Sequence, residues 1–128
     1  DDGVAIVTKY HAEGLVKKGH QVTVFTPKWD CDRDTDEING VHVKRFNIKC
    51  SRGAIYFGDL KKYRETVIKE ANVSDCLIAV ALQTVCVDPI LKHLKDIKCR
   101  KLLYMHGMWD FKWHHNHLSS PLQIVYKL

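Results

Sequence analysis

The fold is decided by residues 1–27, which read DDGVAIVTKYHAEGLVKKGHQVTVFTP. Apolar residues recur at helical spacing from Val4 onward, and Gly19 follows two lysines at the place where a helix commonly ends. The β-branched and aromatic run at residues 22–26 then predicts a strand that Pro27 stops. A helix, a glycine stop and a buried strand in this order predict the second half of a β-α-β unit.

The predicted helix carries one apolar stripe that should face a sheet, and His11 on that stripe is interpreted as a packed histidine. Only Asp1 and Asp2 precede Gly3, so too few residues are present for the strand that should feed the helix. We therefore expect that first strand to be missing from these 128 residues.

Length and composition limit the class of protein. At 128 residues the chain has room for a single domain, residues 1–128, with a real core. Its 45% apolar and 27% charged residues are typical of a soluble globular domain, and its longest uncharged run is too short to span a bilayer. The net charge of +5 favours anionic partners, but no motif that reads RNA or DNA accompanies it, so nucleic acid is not an expected partner.

The five cysteines are odd in number and form no Cys-x-x-Cys pair, which argues against a disulfide framework. Cys76, Cys86 and Cys99 lie in or beside apolar segments, where thiols usually pack as small hydrophobes. This pattern indicates a reducing compartment, and we expect a cytoplasmic location. No metal is expected, because the acidic run at residues 30–36 lacks the glycine and glutamate of a calcium loop and the histidines at residues 114–117 favour a solvated loop over zinc.

The remaining elements are predicted from periodicity and turn signals. A polar loop (28–39) is followed by a strand (41–48) whose alternation slips at Lys44 and Arg45, as at an edge or bulge, and by a second loop (49–58). Next come a helix capped by Asp59, with Leu60, Tyr63, Val67 and Ala71 inward, and a buried parallel strand (76–82). The last elements are a helix begun by Asp88 and Pro89, with Ile90, Leu91, Leu94 and Ile97 inward, a strand (101–105) and a helix from Ser120. This order predicts an open, mostly parallel, Rossmann-like α/β sheet with right-handed crossovers.

In such a sheet, ligands bind beyond the carboxyl ends of the strands. The residues at these ends are Asp2 and Gly3 before the first helix, Gln83 and Thr84 after the apolar strand, and His106 and Gly107 after the last strand. A glycine at a helix start lets backbone N–H groups approach a diphosphate, although one such glycine alone is usually just a turn. A histidine that ends a buried strand is, taken alone, more often structural than catalytic.

Three stretches in order resemble one enzyme family. They are Asp2-Gly3-Val4, the turn Lys18-Gly19-His20-Gln21-Val22-Thr23-Val24, and the strand Leu102-Leu103-Tyr104-Met105 that ends in His106-Gly107, with Asn39-Gly40-Val41-His42-Val43 between them. This order is similar to the N-terminal domain of the retaining GT-B glycosyltransferases of family four, the glycogen-synthase-like group 1 enzymes. The resemblance spans nearly the whole chain.

The resemblance implies residue roles. It implies donor contacts from Gly3, His106 and Gly107, with His106 positioning the donor sugar near the reaction centre rather than acting as a general base. For the acceptor, we expect contacts from Asp2, Gln83, Thr84 and Arg52. No cofactor and no essential metal are implied.

The resemblance also implies a function. We expect a nucleotide-sugar donor and a glycan, lipid-linked or small-molecule acceptor, with the sugar transferred with retention. The C-terminal domain that binds most of the donor is absent from these residues, so the fragment alone is expected to be inactive. Half of a nucleotide-sugar 2-epimerase and a non-catalytic α/β binding module are the alternatives.

Two surfaces could meet further partners. The alternating aromatics Trp109, Phe111 and Trp113 are interpreted as cover for the core edge, with an acceptor-facing or peripheral membrane lip as the alternative. In the implied fold the first strand is central, so its loss leaves two strands with unpaired inner edges. Upstream residues that supply the strand are the favoured explanation, ahead of a strand-swapped homo-oligomer or direct closure of the two strands on each other.

Overall fold

The structure is a computed structural model that describes residues 3–51 and 55–105. Its elements are α1 (Gly3–Lys17), β1 (Thr23–Pro27), β2 (Thr35–Ile38), β3 (Val41–Phe46), β4 (Ile48–Ser51), β5 (Ile55–Gly58), α2 (Leu60–Ala71), β6 (Cys76–Val80), α3 (Asp88–Leu91), a 3-10 turn (Leu94–Asp96) and β7 (Arg100–Tyr104). The predictions made for Asp2, Arg52, His106, Gly107, the aromatics and histidines at residues 109–117 and the helix from Ser120 lie outside the described residues.

The predicted first helix and strand are confirmed, and hydrogen bonds explain why the helix ends where it does. Gly19 has a φ of 92°, in the left-handed region that glycine adopts without steric cost. Its N–H donates to the carbonyl of Val16 at 2.9 Å, and the N–H of His20 donates to the carbonyl of Leu15 at 3.1 Å. This pair of bonds is the Schellman motif, so the glycine after the two lysines ends α1.

The polar loop predicted for residues 28–39 is wrong in part, because its last residues form β2. Asn39 and Gly40 have φ values of 51° and 81°, the left-handed pair that a two-residue type I′ hairpin turn requires. β2 pairs with β3 in antiparallel register, from Ile38 opposite Val41 onward. The strand is short and mostly exposed, so it lacks the apolar alternation that identifies a strand in sequence.

The edge or bulge predicted at residues 41–48 is also wrong. β3 is the middle strand of its sheet, parallel to β1 and antiparallel to β2. Lys44 forms an ion pair with Glu70 of α2, and Arg45 forms one with Asp36 of β2 at 3.5 Å. Because neighbouring residues of a strand point to opposite faces, charged side chains occupy both faces of β3. These ion pairs, and not an edge position, account for the slip in alternation.

The loop predicted for residues 49–58 is replaced by a hairpin of β4 and β5. The two strands pair in antiparallel register, from Ile48 opposite Gly58 to Ser51 opposite Ile55. Ile48 is fully buried, whereas most other residues of the hairpin are exposed. The hairpin therefore reaches outward from one buried end, and little in its apolar pattern distinguishes it from a loop.

Helix α2 carries the centre of the hydrophobic core. The inward stripe predicted for it is confirmed, since Tyr63, Val67 and Ala71 are buried. Asp59 stands at the N-cap as predicted, although its side chain makes no capping hydrogen bond. The core cluster consists of Phe46, Ile48, Tyr63, Val67, Ala71, Ile90 and Ile97. Phe25 of β1 and Leu77 of β6 pack against this cluster, so one core cluster contacts strands of two sheets.

The predicted helix at residues 88–97 is shorter than expected and is divided into α3 and the 3-10 turn. Ile90 and Ile97 are buried as predicted, whereas Leu91 and Leu94 are exposed. The N-cap of α3 is Val87, so Asp88 is not the capping residue. The carboxylate of Asp88 is engaged elsewhere, as described below.

The strands form three small sheets instead of the single open sheet predicted. Their orders are β1-β3-β2, β4-β5 and β6-β7, with parallel pairing between β1 and β3 and between β6 and β7. Within residues 3–51 and 55–105, the second edges of β1 and β6 are not paired with any strand. Direct closure of these two strands on each other is therefore not observed.

The burial predicted for α1 is wrong in part. Of its stripe, only Ala12 is fully buried, and His11 is exposed rather than packed. The ring of His11 contacts the edge of Tyr104 in β7, with ring centroids 4.6 Å apart. α1 therefore touches β7, yet much of its apolar stripe remains only half-covered.

We predict opposite effects for alanine at two glycines. A Cβ at Gly58, where φ is 99°, would lie 2.1 Å from the carbonyl oxygen of Asn47, so Gly58→Ala should lower the free energy of unfolding by about 3 kcal/mol or more. Gly14 lies inside α1 with nothing within 4 Å of such a Cβ, so Gly14→Ala should raise it by about 0.5–1 kcal/mol. Urea unfolding of both variants checks the pair. Equal changes in the free energy of unfolding of the two variants would contradict the close approach of Gly58 to the carbonyl of Asn47.

Candidate functional site

The parallel strands β6 and β7 end side by side, and the loop after β6 lies at this edge. In their register, Val80 is opposite Tyr104. The N–H of Ala81 donates to the carbonyl of Tyr104 at 2.9 Å, which extends the pairing by one residue. Residues 81–87 then form a loop that includes Gln83 and Thr84, so the structure places both predicted acceptor residues at the carboxyl edge of a parallel pair.

The backbone of this loop is strained. Ala81 and Gln83 have φ values of 63° and 60°, in the left-handed region that residues other than glycine rarely occupy. Each such residue costs about 1–2 kcal/mol relative to an ordinary conformation. Strain of this kind persists only where surrounding contacts enforce it, and it concentrates at functional sites.

Hydrogen bonds from α2 and from within the loop enforce the conformation. The hydroxyl of Tyr63 in α2 donates to the carbonyl of Cys86 at 2.6 Å. The side-chain oxygen of Thr84 accepts the N–H of Val87 at 3.2 Å. The hydroxyl of Thr84 also donates to the carbonyl of Ala81 at 3.4 Å. The Thr84 side chain therefore holds the loop itself, which limits its freedom to bind a ligand through the same atom.

Asp88 holds the loop through both oxygens of its carboxylate, one on the loop and one on β5. Its Oδ1 accepts the backbone N–H of Gln83 at 2.8 Å. Its Oδ2 accepts the hydroxyl of Tyr56 in β5 at 2.5 Å. Both oxygens of the carboxylate are thus engaged, so Asp88 is poorly placed to act as a general base. Sequence reasoning missed this role, because an Asp-Pro pair before a helix is the ordinary signal of an N-cap.

The half-buried thiol of Cys86, within the loop, is not a nucleophile. Burial raises the pKa of the Cys86 thiol to about 11, and burial likewise raises the pKa of the Tyr63 hydroxyl. At neutral pH the thiol is therefore protonated, and a thiol is a weak nucleophile compared with its thiolate. The interpretation of Cys86 as a packed small hydrophobe fits its contact with the core cluster.

The other predicted site residues lie on separate elements. Gly3 is exposed at the first turn of α1. Since His11 contacts Tyr104 near the end of β7, and a helix rises about 1.5 Å per residue, Gly3 lies about 12 Å further along α1 from His11. Asp2, Arg52, His106 and Gly107 lie outside the described residues.

A cavity of about 510 Å³ lies between α1 and the β6–β7 pair. Its walls are mostly apolar and come from Tyr10, His11, Gly14, Leu15 and Lys18 of the α1 segment and from Ile78, Leu102, Leu103 and Tyr104 of the strands. Apolar walls suit an apolar segment better than a diphosphate or a sugar. This cavity is therefore not the candidate site.

Across residues 3–51 and 55–105, no group of three or more histidine, cysteine, aspartate or glutamate side chains is placed to hold a metal ion. No helix in the same residues is long and apolar enough to cross a bilayer.

Comparison with known proteins identifies the family. The model of Glycosyltransferase Family 4 matches residues 2–128, which is nearly the entire chain. The chain belongs to Glycosyltransferase Family 4. No curated protein and no solved structure matches it. As a Glycosyltransferase Family 4 domain, it is assigned to the sugar-transferring enzymes in general, and the loop after β6 is its best-described candidate site.

The left-handed backbone at Gln83 in this Glycosyltransferase Family 4 domain predicts that a glycine there will stabilise the folded state. Gln83→Gly removes a left-handed glutamine, which costs about 1–2 kcal/mol, and adds the flexibility of glycine, which costs about 0.5–1 kcal/mol. The free energy of unfolding in urea should therefore rise by up to about 1 kcal/mol. Gln21→Gly, at an exposed position without positive φ, is the matched control and should lower stability. Equal losses in both variants would show that the loop is not strained.

Proposed function

We propose that this domain is the N-terminal, acceptor-side half of a retaining GT-B glycosyltransferase. It takes part in transfer of a sugar from a nucleotide-sugar donor to a glycan, lipid-linked or small-molecule acceptor. The observation that carries the proposal is the family match over residues 2–128. The strained loop at the carboxyl edge of β6 supports an acceptor contact there, since open α/β sheets bind ligands at this edge.

The proposed chemistry is a substitution at the anomeric carbon of the donor sugar. The bond from this carbon to the diphosphate oxygen breaks, a bond to the acceptor hydroxyl oxygen forms, and the hydroxyl proton leaves with the diphosphate. The proposed donor contacts are Gly3, His106 and Gly107, and the proposed acceptor contacts are Asp2, Gln83, Thr84 and Arg52. Their work is to position the reactants and to stabilise charge, and no side chain is assigned as a general base.

Most of the donor site is proposed to lie in a second, C-terminal domain. One domain that contacts the transition state from a single side lacks most of the groups that position the reactants and stabilise their charge. Residues 1–128 alone should therefore release no more nucleoside diphosphate from UDP-glucose, UDP-N-acetylglucosamine or GDP-mannose than buffer does. Clear turnover by the isolated domain, measured by diphosphate release, would contradict the two-domain proposal.

His106 gives the sharpest test of the proposed catalytic role. In a two-domain enzyme, meaning residues 1–128 joined to a donor-binding domain, His106→Ala should lower sugar transfer by about tenfold to 100-fold, the range expected for a lost hydrogen bond to a charged group. Its melting temperature should change little. His93→Ala, at the N-cap of the 3-10 turn and not among the proposed donor or acceptor contacts, should leave transfer unchanged. A variant that loses stability in step with activity would make His106 a structural residue.

We also propose that one further parallel strand completes the sheet between β1 and β6. The side chains of β6 alternate between two helix layers, because Leu77 packs on the core around α2 while Ile78 lines the cavity under α1. α1 and α2 therefore lie on opposite faces. Right-handed crossovers carry the chain from β3 past α2 to β6. Since α1 lies on the opposite face, a right-handed crossover through α1 must proceed along the sheet in the opposite direction. The strand that precedes α1 therefore belongs next to β1, on the side nearer to β6.

The half-covered stripe of α1 and the apolar cavity beneath it support this position. A segment of about fifteen residues, with a strand of five or six β-branched residues followed by a glycine loop, should act as that strand when fused ahead of Asp1. It should raise the melting temperature and give a monomer by light scattering. The same segment with two prolines in the strand is the control, since proline cannot complete the ladder. Equal melting temperatures would contradict the proposed strand, and dimers of the unextended chain would indicate strand exchange.

A further inference from the structure

Asp88 connects two elements that flank the candidate acceptor site. One oxygen of its carboxylate holds the N–H of Gln83, and the other holds the hydroxyl of Tyr56. Tyr56 lies in β5 opposite Cys50 of β4. A single side chain thus links the loop after β6 to the hairpin of β4 and β5.

The geometry of the chain around Asp88 directs its carboxylate toward the loop. The N–H groups of Val87 and Asp88 donate to the carbonyl of Thr84, at 3.2 and 3.1 Å, and form a tight turn before α3. This turn brings residue 88 back beside residue 83. Because Val87 is the N-cap and α3 has only four residues, Asp88 contributes little as a helix cap.

The bond to Gln83 matters because of the conformation of that residue. Gln83 has a φ of 60°, which its backbone would leave for a negative φ if nothing opposed the change. A hydrogen bond to an ionised carboxylate is stronger than one to a neutral acceptor, so Asp88 is the contact best able to oppose it. Asp88 and Gln83 are both half-buried, so water competes only partly for the same N–H.

We infer that Asp88 is a positioning residue for the acceptor: its carboxylate fixes the left-handed backbone at Gln83 and joins the β4–β5 hairpin to the loop after β6 as one wall of the acceptor site. This inference rests on the proposed function for the acceptor, whereas the fixing of the loop stands on the hydrogen bonds alone. Asp88 itself is not a catalytic residue, since both of its oxygens are engaged.

Four variants of residues 1–128 test the fixing of the loop. Asp88→Ala removes both bonds, and Tyr56→Phe removes the bond to the hairpin while the bond to Gln83 stays. Asp88→Asn can keep both, because its amide oxygen can accept the N–H of Gln83 and its amide nitrogen can donate to the Tyr56 oxygen. Asp75→Ala, at an exposed residue directly before β6, is the matched control.

The deciding measurement is the hydrogen-exchange rate of the Gln83 amide by NMR. It should rise by about tenfold or more in Asp88→Ala and by less than about threefold in Asp88→Asn, Tyr56→Phe and Asp75→Ala. The exchange rates of the α2 amides report the global stability of the domain, and they are used to correct the Gln83 rate for any general loss of folding. An unchanged rate at Gln83 in Asp88→Ala, or equal acceleration at Gln83 and across α2, would overturn the inference.

The acceptor role is tested separately in the two-domain enzyme, with GDP-mannose or UDP-glucose as donor and octyl mannoside or octyl glucoside as acceptor. Asp88→Ala should raise the KM for the acceptor by about fivefold or more while the KM for the donor changes by less than about twofold. Asp88→Asn should restore most of the loss, and Tyr56→Phe should lie between them. A change in the donor KM instead would overturn the acceptor role. No transfer by the unmutated enzyme would count against the proposed function, and the exchange rates would still decide whether Asp88 fixes the loop.

Discussion

Packing against α2 is the interaction on which the rest of the structure depends. β1 pairs with β3, and β6 pairs with β7, but within the described residues no ladder of hydrogen bonds joins the two pairs. They share the core cluster to which α2 contributes Tyr63, Val67 and Ala71, and Phe25 packs against this cluster from one pair and Leu77 from the other. Apolar contact is non-directional, so the shapes of these side chains set the relative position of the pairs. Tyr63 of the same stripe also holds the loop after β6, which couples the core directly to the site.

Periodicity identified the elements whose burial is one-sided and regular. α2 was predicted because Tyr63, Val67 and Ala71 recur at helical spacing, and all three are buried. The sequence does not predict β2, because a mostly exposed polar strand has no apolar face and therefore no apolar alternation. The charged pair Lys44 and Arg45 was misassigned to an edge, since the partners that admit charges into a middle strand come from distant parts of the sequence. Sequence pattern thus records burial well and long-range pairing poorly.

The positions of the candidate residues follow from the sequence to a similar extent. The apolar run predicts the strand that becomes β6, so Gln83 and Thr84 are expected beyond its carboxyl end, where the structure places them; their role as acceptor contacts stays a prediction. The left-handed backbone at Ala81 and Gln83 has no sequence signal, since neither residue is one that favours positive φ. The role of Asp88 was hidden for a related reason. An aspartate before proline caps many helices. Only the turn at Thr84 in the structure shows that the carboxylate of Asp88 points back along the chain to the N–H of Gln83.

The choice of residues at positions 81 and 83 determines how the loop behaves. Glycine would reach positive φ without cost, but it would also populate many other conformations. Alanine and glutamine reach φ near 60° only in a narrow energy well, so a loop held there has few alternatives nearby. Ala81 is buried and Gln83 is held by a carboxylate, so the strain is offset by local contacts and not by the fold as a whole. A backbone fixed in this way loses little further entropy when a ligand is ordered against it, which is the property that the proposed positioning of an acceptor at this loop requires.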